Sequence, residues 1–167
     1  MSETYVECLV KREPSLVGRL AKMILIMLTA VFGLFGLIGL FYGVPLLLAL
    51  AAAAGAYFVH LNTYTEYEYL YLDKEISVDK IKAQTKRKRV AVFAVDRIEI
   101  LAPIKSYHLD NYKNRNAKVT DYSIGREEQP DKRYVLFYDG NQKIILSPSE
   151  ELIKAIRTVG PRKVFMD

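Results

Sequence analysis

The sequence predicts an α+β membrane protein: a two-helix transmembrane hairpin, then a small β-barrel or bent sheet of about seven strands closed by a C-terminal helix. Three observations carry this expectation. Residues 23–61 contain no Lys, Arg, Asp or Glu. Past Leu61 the apolar run gives way to short segments rich in Tyr, Thr, Val and Ile that alternate with polar residues. Near the end, Ser147-Pro148-Ser149-Glu150 precedes apolar residues at helical spacing.

The apolar stretch comes first. As one helix it would be ~58 Å long at ~1.5 Å per residue, nearly twice the ~30 Å bilayer core. Phe41-Tyr42-Gly43-Val44-Pro45 supplies the break. Gly43 tolerates unusual backbone angles, and Pro45 disfavours helix at Val44 yet suits the first turn of a new one. The spans are therefore expected at about 21–42 and 45–61. A cleavable signal peptide is the competing reading, and Ala51 to Ala54 imitate a cleavage site. The stretch starts too late and runs too long for a signal core.

Orientation follows from flanking cations. Lys11, Arg12, Arg19 and Lys22 precede the first span, and Lys74, Lys80 and Lys82 follow the second. The intervening turn has none. This bias predicts the cell membrane with both termini cytoplasmic. Tyr42, Tyr57 and Tyr64 are expected interface anchors. Small residues recur at spacings of three and four: Gly33, Gly36 and Gly39 in the first span, and Ala49, Ala52, Ala53, Gly55 and Ala56 in the second. Such residues let helix backbones approach closely in lipid. Self-packing of the hairpin is the simple use; docking onto a partner's spans is the sharper one.

Residues 62–167 are expected to form a cytoplasmic domain. Strands are expected over Thr63–Leu72, Glu75–Ala83, Arg89–Val95, Arg97–Ala102, Ala117–Ile124, Lys132–Tyr138 and Gln142–Leu146. In the first, Tyr67, Tyr69 and Tyr71 share one face, with Glu66, Glu68, Leu70 and Leu72 on the other. Ile98 and Ile100 share a side of the fourth. Residues 103–116 read as a long loop. Asp139-Gly140-Asn141 signals a hairpin, since these residues tolerate positive φ. Ser147 is the expected N-cap of the final helix, with Pro148 at N1 and Glu150 at N3. Leu152, Ile153, Ile156 and Val159 form its apolar stripe, and Gly160-Pro161 ends it. Residues 1–20 are a cytoplasmic segment whose Thr4–Lys11 portion is β-like and is expected to add a strand to the domain.

This order of elements resembles the pleckstrin-homology-like (PH-like) fold. The opening Tyr5-Val6-Glu7-Cys8-Leu9-Val10-Lys11-Arg12, the two-span hairpin and Tyr67-Glu68-Tyr69-Leu70-Tyr71-Leu72-Asp73 resemble a family of small bacterial two-span membrane proteins with a cytoplasmic PH-like domain. The resemblance covers most of the chain and implies an architecture, with no catalytic motif to carry over.

Chemistry-bearing residues are sparse. His60 and His108 have no ligand motif around them, and no Gly-rich phosphate loop, nucleophile elbow or zinc spacing occurs. No catalytic, cofactor or metal residue is expected. The lone cysteine, Cys8, cannot form an intrachain disulfide; lipidation upstream of the span has no specific support. The net charge of +5 is too diluted by acids to point to nucleic acid. One feature rises above background: Lys80, Lys82, Lys86, Arg87, Lys88 and Arg89 are interrupted by no acid. Read as a loop between two early strands, they would draw anionic headgroups at ~1 kcal/mol each, or merely solvate a turn. The leading expectation is a membrane-anchored, non-enzymatic binding or scaffold module whose partners are the lipid bilayer, anionic headgroups or a protein. The alternatives are an accessory subunit docking through its Gly/Ala faces and an enzyme with a dispersed site. Oligomeric state stays open.

Overall fold

The computed structural model describes residues 5–39 and 43–166. The chain forms two units, interleaved in sequence. One comprises Met1–Glu13, Glu66–Ile81 and Lys86–Asp167; the other comprises Pro14–Thr65 and Lys82–Thr85. The units interleave because residues 6–11 pair with a strand that follows the helices in sequence.

The second unit holds α1 (Leu16–Leu37) and α2 (Val44–Thr63). Ser15 caps α1, its Oγ accepting from the Gly18 N–H at 3.1 Å. The helix therefore starts before residue 21 and carries Arg19 and Lys22 in its opening turns. It stops at Leu37, short of the expected 42, because Gly39 turns left-handed at φ +76°. Gly43, at φ +85°, caps α2, and Pro45 occupies its first turn. Tyr42 lies outside the described residues. Both helices are long and apolar enough to cross a membrane, and only 0% and 11% of their apolar windows are buried by protein. A core helix of a soluble protein would be mostly covered; these are bare.

The two helices pack against each other along a seam marked by close approaches at glycine. A Cβ at Gly18 would lie 2.6 Å from Thr63 Oγ1, one at Gly36 would lie 2.6 Å from Leu46, and one at Gly55 would touch Leu25 at 3.5 Å. Ala49 is buried, Ala52 and Ala56 are half-buried, and Ala53 is exposed. Gly33 meets nothing within 4 Å, nor does Gly39. Spacing by threes and fours thus overcounts the packing set: Gly33 and Ala53 fall off the seam, and Gly39 is a helix terminator.

Among the described residues the first unit is built of eight strands in two sheets. β1 (Val6–Lys11), β2 (Thr65–Leu72), β3 (Glu75–Lys82) and β4 (Lys86–Ala94) lie in that order; β5 (Ile98–Pro103), β6 (Lys118–Asp121), β7 (Tyr134–Tyr138) and β8 (Gln142–Leu146) run β5-β7-β8-β6. β1 is antiparallel to β2, from Val6 opposite Tyr71 to Lys11 opposite Glu66. The whole helical hairpin is thus inserted between two adjacent strands.

The core is aromatic as well as aliphatic. Tyr67, Tyr69 and Tyr71 turn inward with Ile76, Val78, Phe93 and Leu136. Tyr69 is fully buried, and its hydroxyl donates to Tyr122 O at 2.6 Å and accepts from Ser147 N–H at 3.2 Å. α3 (Glu150–Val159) buries Leu152, Ile153 and Ile156 against this core. Its cap is Ser149, whose Oγ accepts from Leu152 N–H; Ser147 instead accepts from Ile124 N–H at 3.3 Å. The capping-box reading is therefore two residues early, because Ser147 is still held at the end of β8. A bulge between Ile98 and Ile100 sends the two isoleucines into different clusters: Ile98 into the main core, Ile100 beside Ala102, Leu109, Val135 and Phe137. The expected loop at 103–116 contains a 3-10 helix, Tyr107–Tyr112, that buries Leu109.

Candidate functional site

The basic residues sit in strands, not in a loop. Lys80 and Lys82 belong to β3, and Lys86 to Arg89 open β4. The link is short because Ala83 and Gln84 both take left-handed angles, φ 44° and 58°. The turn is tied to the end of α2: Ala83 N–H donates to Tyr64 O at 2.7 Å, and Lys82 Nζ donates to Asn62 Oδ1 at 2.8 Å.

Arg87 and Arg89 pair with carboxylates. Arg87 Nε donates to Asp79 Oδ2 at 2.7 Å, and another Arg87 nitrogen contacts Glu68 Oε2. Arg89 Nε donates to Asp79 Oδ1 at 3.2 Å. The carboxylate side chains are only 8% (Glu68) and 6% (Asp79) exposed, whereas the arginines are 52% and 60% exposed. The guanidinium groups therefore lie over two buried anions. Local folding sets this up. A two-residue turn at Asp73-Lys74, both at positive φ, joins β2 to β3 and places Glu68 across from Asp79. Glu7 of β1 extends the row and accepts from the Tyr5 hydroxyl at 2.7 Å.

Electrostatics along the row are uneven. Burial alone would raise the Asp79 carboxyl, but hydrogen bonds from Arg87 and Arg89 outweigh it and hold it below its ordinary value. Burial pushes Glu68 up, and its hydrogen bond with Glu7 adds to that, against the pull of Arg87. Glu7 is lowered, first by the hydrogen bond from Tyr5 and then by Glu68. Of this pair Glu68 takes a proton first.

The remaining cations differ. Lys80 stands 5.9 Å from the centre of the Tyr67 ring. Lys86 and Lys88 are exposed, with no ionic partner among the described residues. Outward positive charge on β4 therefore comes chiefly from these two lysines. The pairing of Asp79 and Glu68 escaped the reading of the sequence, which placed Glu68 only on the face opposite the tyrosines; the Asp73-Lys74 turn carried the signal for it. The histidines go elsewhere. His108 stacks on Phe165 with ring centres 3.7 Å apart, and His60 Nδ1 is 3.2 Å from Lys22 Nζ. No group of three or more His, Cys, Asp or Glu among the described residues is placed to hold a metal ion.

A family model described as "Bacterial PH-like domain (DUF6106)" matches residues 2–166. No curated protein and no solved structure matches the chain.

Proposed function

The chain belongs to this family of bacterial PH-like domains, and on that premise we propose that it is a membrane-anchored, non-enzymatic binding or scaffold module that offers β4 to anionic lipid headgroups. PH-like domains are generally non-catalytic binding modules, which favours binding over catalysis.

The observation that carries the reading is the insertion of two bare apolar helices between paired strands. Lys11 and Glu66 are neighbours in the sheet, so a chain that leaves the sheet at one must return beside it at the other. Two spans meet that condition, and a bilayer covers the apolar faces that protein leaves open. Arg19 and Lys22 at the start of α1 favour the cytoplasm for that side. β4 begins one residue beyond the turn bonded to the end of α2, which favours contact of Lys86 and Lys88 with headgroups.

The test uses full-length protein in nanodiscs of phosphatidylcholine or of phosphatidylcholine with phosphatidylglycerol. Amide exchange over residues 84–90 is expected to slow in the anionic discs, and Lys86→Glu with Lys88→Glu to abolish the difference. Identical exchange in both lipids for the unmodified protein would refute the lipid role. Lys86 and Lys88 are the clean pair, since changing Arg87 or Arg89 would also strip partners from Asp79.

A further inference from the structure

β4 and β6 are terminal strands of their sheets, and both line one groove of about 370 Å³. Its apolar floor is Phe93, Tyr138 and Ile144, all buried. Its walls carry Val90 and Val92 of β4, 37% and 43% exposed, and Lys118 and Thr120 of β6. By contrast, the edge of β5 is covered: Val164 bridges Leu101, whose N–H donates to Lys163 O at 2.8 Å.

The main chain at the groove is open in a definable way. In an antiparallel strand alternate residues direct their N–H and C=O to the same neighbour. Val95 N–H donates to Lys74 O at 2.8 Å, so Phe93 faces β3, while Ala94 and Val92 face outward. Ala94 confirms the alternation, since its N–H is met by the Tyr138 hydroxyl at 3.4 Å. Beyond that stopper, Val92 presents main-chain groups beside the groove. Exposed edges are commonly guarded by lysine or arginine. Here the guard, Lys86 to Arg89, ends just before Val90.

We propose that this groove is a strand-addition site, in which an extended acidic segment of a partner protein pairs with the β4 edge at Val92. Main-chain hydrogen bonds supply affinity in this mode, and alternate side chains select the partner. Charge selects the occupant. Among the described residues Lys118 is the one charged residue lining the groove and no acid lines it, while Lys86 and Lys88 lie along β4. The inference rests on the binding-module reading and adds the class of protein partner.

The probe is a dye-labelled peptide, Glu-Val-Thr-Val-Thr-Val-Glu, titrated against full-length protein in phosphatidylcholine nanodiscs, with a twin in which lysine replaces both glutamates. The acidic peptide should bind, slow exchange at Val92, and outbind the twin by about ten-fold. Val92→Pro removes an edge donor and should abolish binding. Lys118→Glu, at an exposed position, should reverse the preference between the two peptides and guards against a folding defect in the proline variant. No binding by the acidic peptide, equal binding of the twins, or indifference to both substitutions overturns the site. Because these discs lack anionic lipid, a protein that ignores the peptide yet responds to phosphatidylglycerol loses this inference and keeps the lipid reading.

Discussion

Single residues on the outer face of the first sheet carry opposed pH dependences. Asp79 is depressed below its ordinary 3.8, so it stabilises the fold above that value and the contribution fades as pH falls through the folded value. Glu68 is raised above its ordinary 4.5. Its ionisation therefore opposes folding at neutral pH, and that penalty disappears once pH falls below 4.5. Asp79→Asn should lower stability at pH 7 by about 1–2 kcal/mol, because two arginines lose the charged carboxylate they share, and the deficit should shrink in acid. Glu68→Gln should be neutral or stabilising at pH 7, with the gain vanishing in acid. Thermal unfolding read by near-ultraviolet tyrosine dichroism, at several pH values, checks both; destabilisation by Glu68→Gln at pH 7 would contradict the assigned sign. The basic residues of this face were legible from sequence. Their division into partnered arginines and free lysines was not, since it depends on two carboxylates brought in from β2 and β3.

Among elements, the helical hairpin offers the sharpest contrast. Gly36 and Gly33 look equivalent in the sequence, yet a side chain at Gly36 meets Leu46 and one at Gly33 meets nothing. Gly36→Leu should weaken the helix pair by about 1–3 kcal/mol, and Gly33→Leu should leave it unchanged. Thermal melting in mild detergent separates the two outcomes; equal melting of both variants would show that the seam lies elsewhere. α3 makes the same point about caps. Two serines precede it, and only the end of β8 decides that Ser149, not Ser147, takes the role. Strand positions were readable where alternation was clean, as in Tyr67, Tyr69 and Tyr71. They were misread at the Ile98–Ile100 bulge, where one extra residue reverses the face.

For the whole molecule, the insertion of α1 and α2 between β1 and β2 has a direct consequence. A fragment of residues 62–167 lacks β1 and bares the edge of β2, along with part of the cover over the tyrosine core. It should aggregate or melt early. Joining residues 1–13 to 65–167 through a short Asn/Gly turn restores the β1–β2 hairpin and should give a soluble monomer without detergent. Size-exclusion chromatography with light scattering distinguishes the two. A monomeric, cooperatively folded 62–167 fragment would mean that β1 is dispensable.

The sequence by itself settled what depends on composition and local spacing: a long ion-free stretch that must be two helices, short alternating strands, and an amphipathic final helix over an α+β domain. These follow from hydropathy and backbone periodicity, which neighbouring residues determine among themselves. Only the tertiary structure decided which strand closes against which, which cations are neutralised, and which sheet edges stay open. Each of those joins residues far apart in the chain, and no local pattern encodes the register in which distant strands meet.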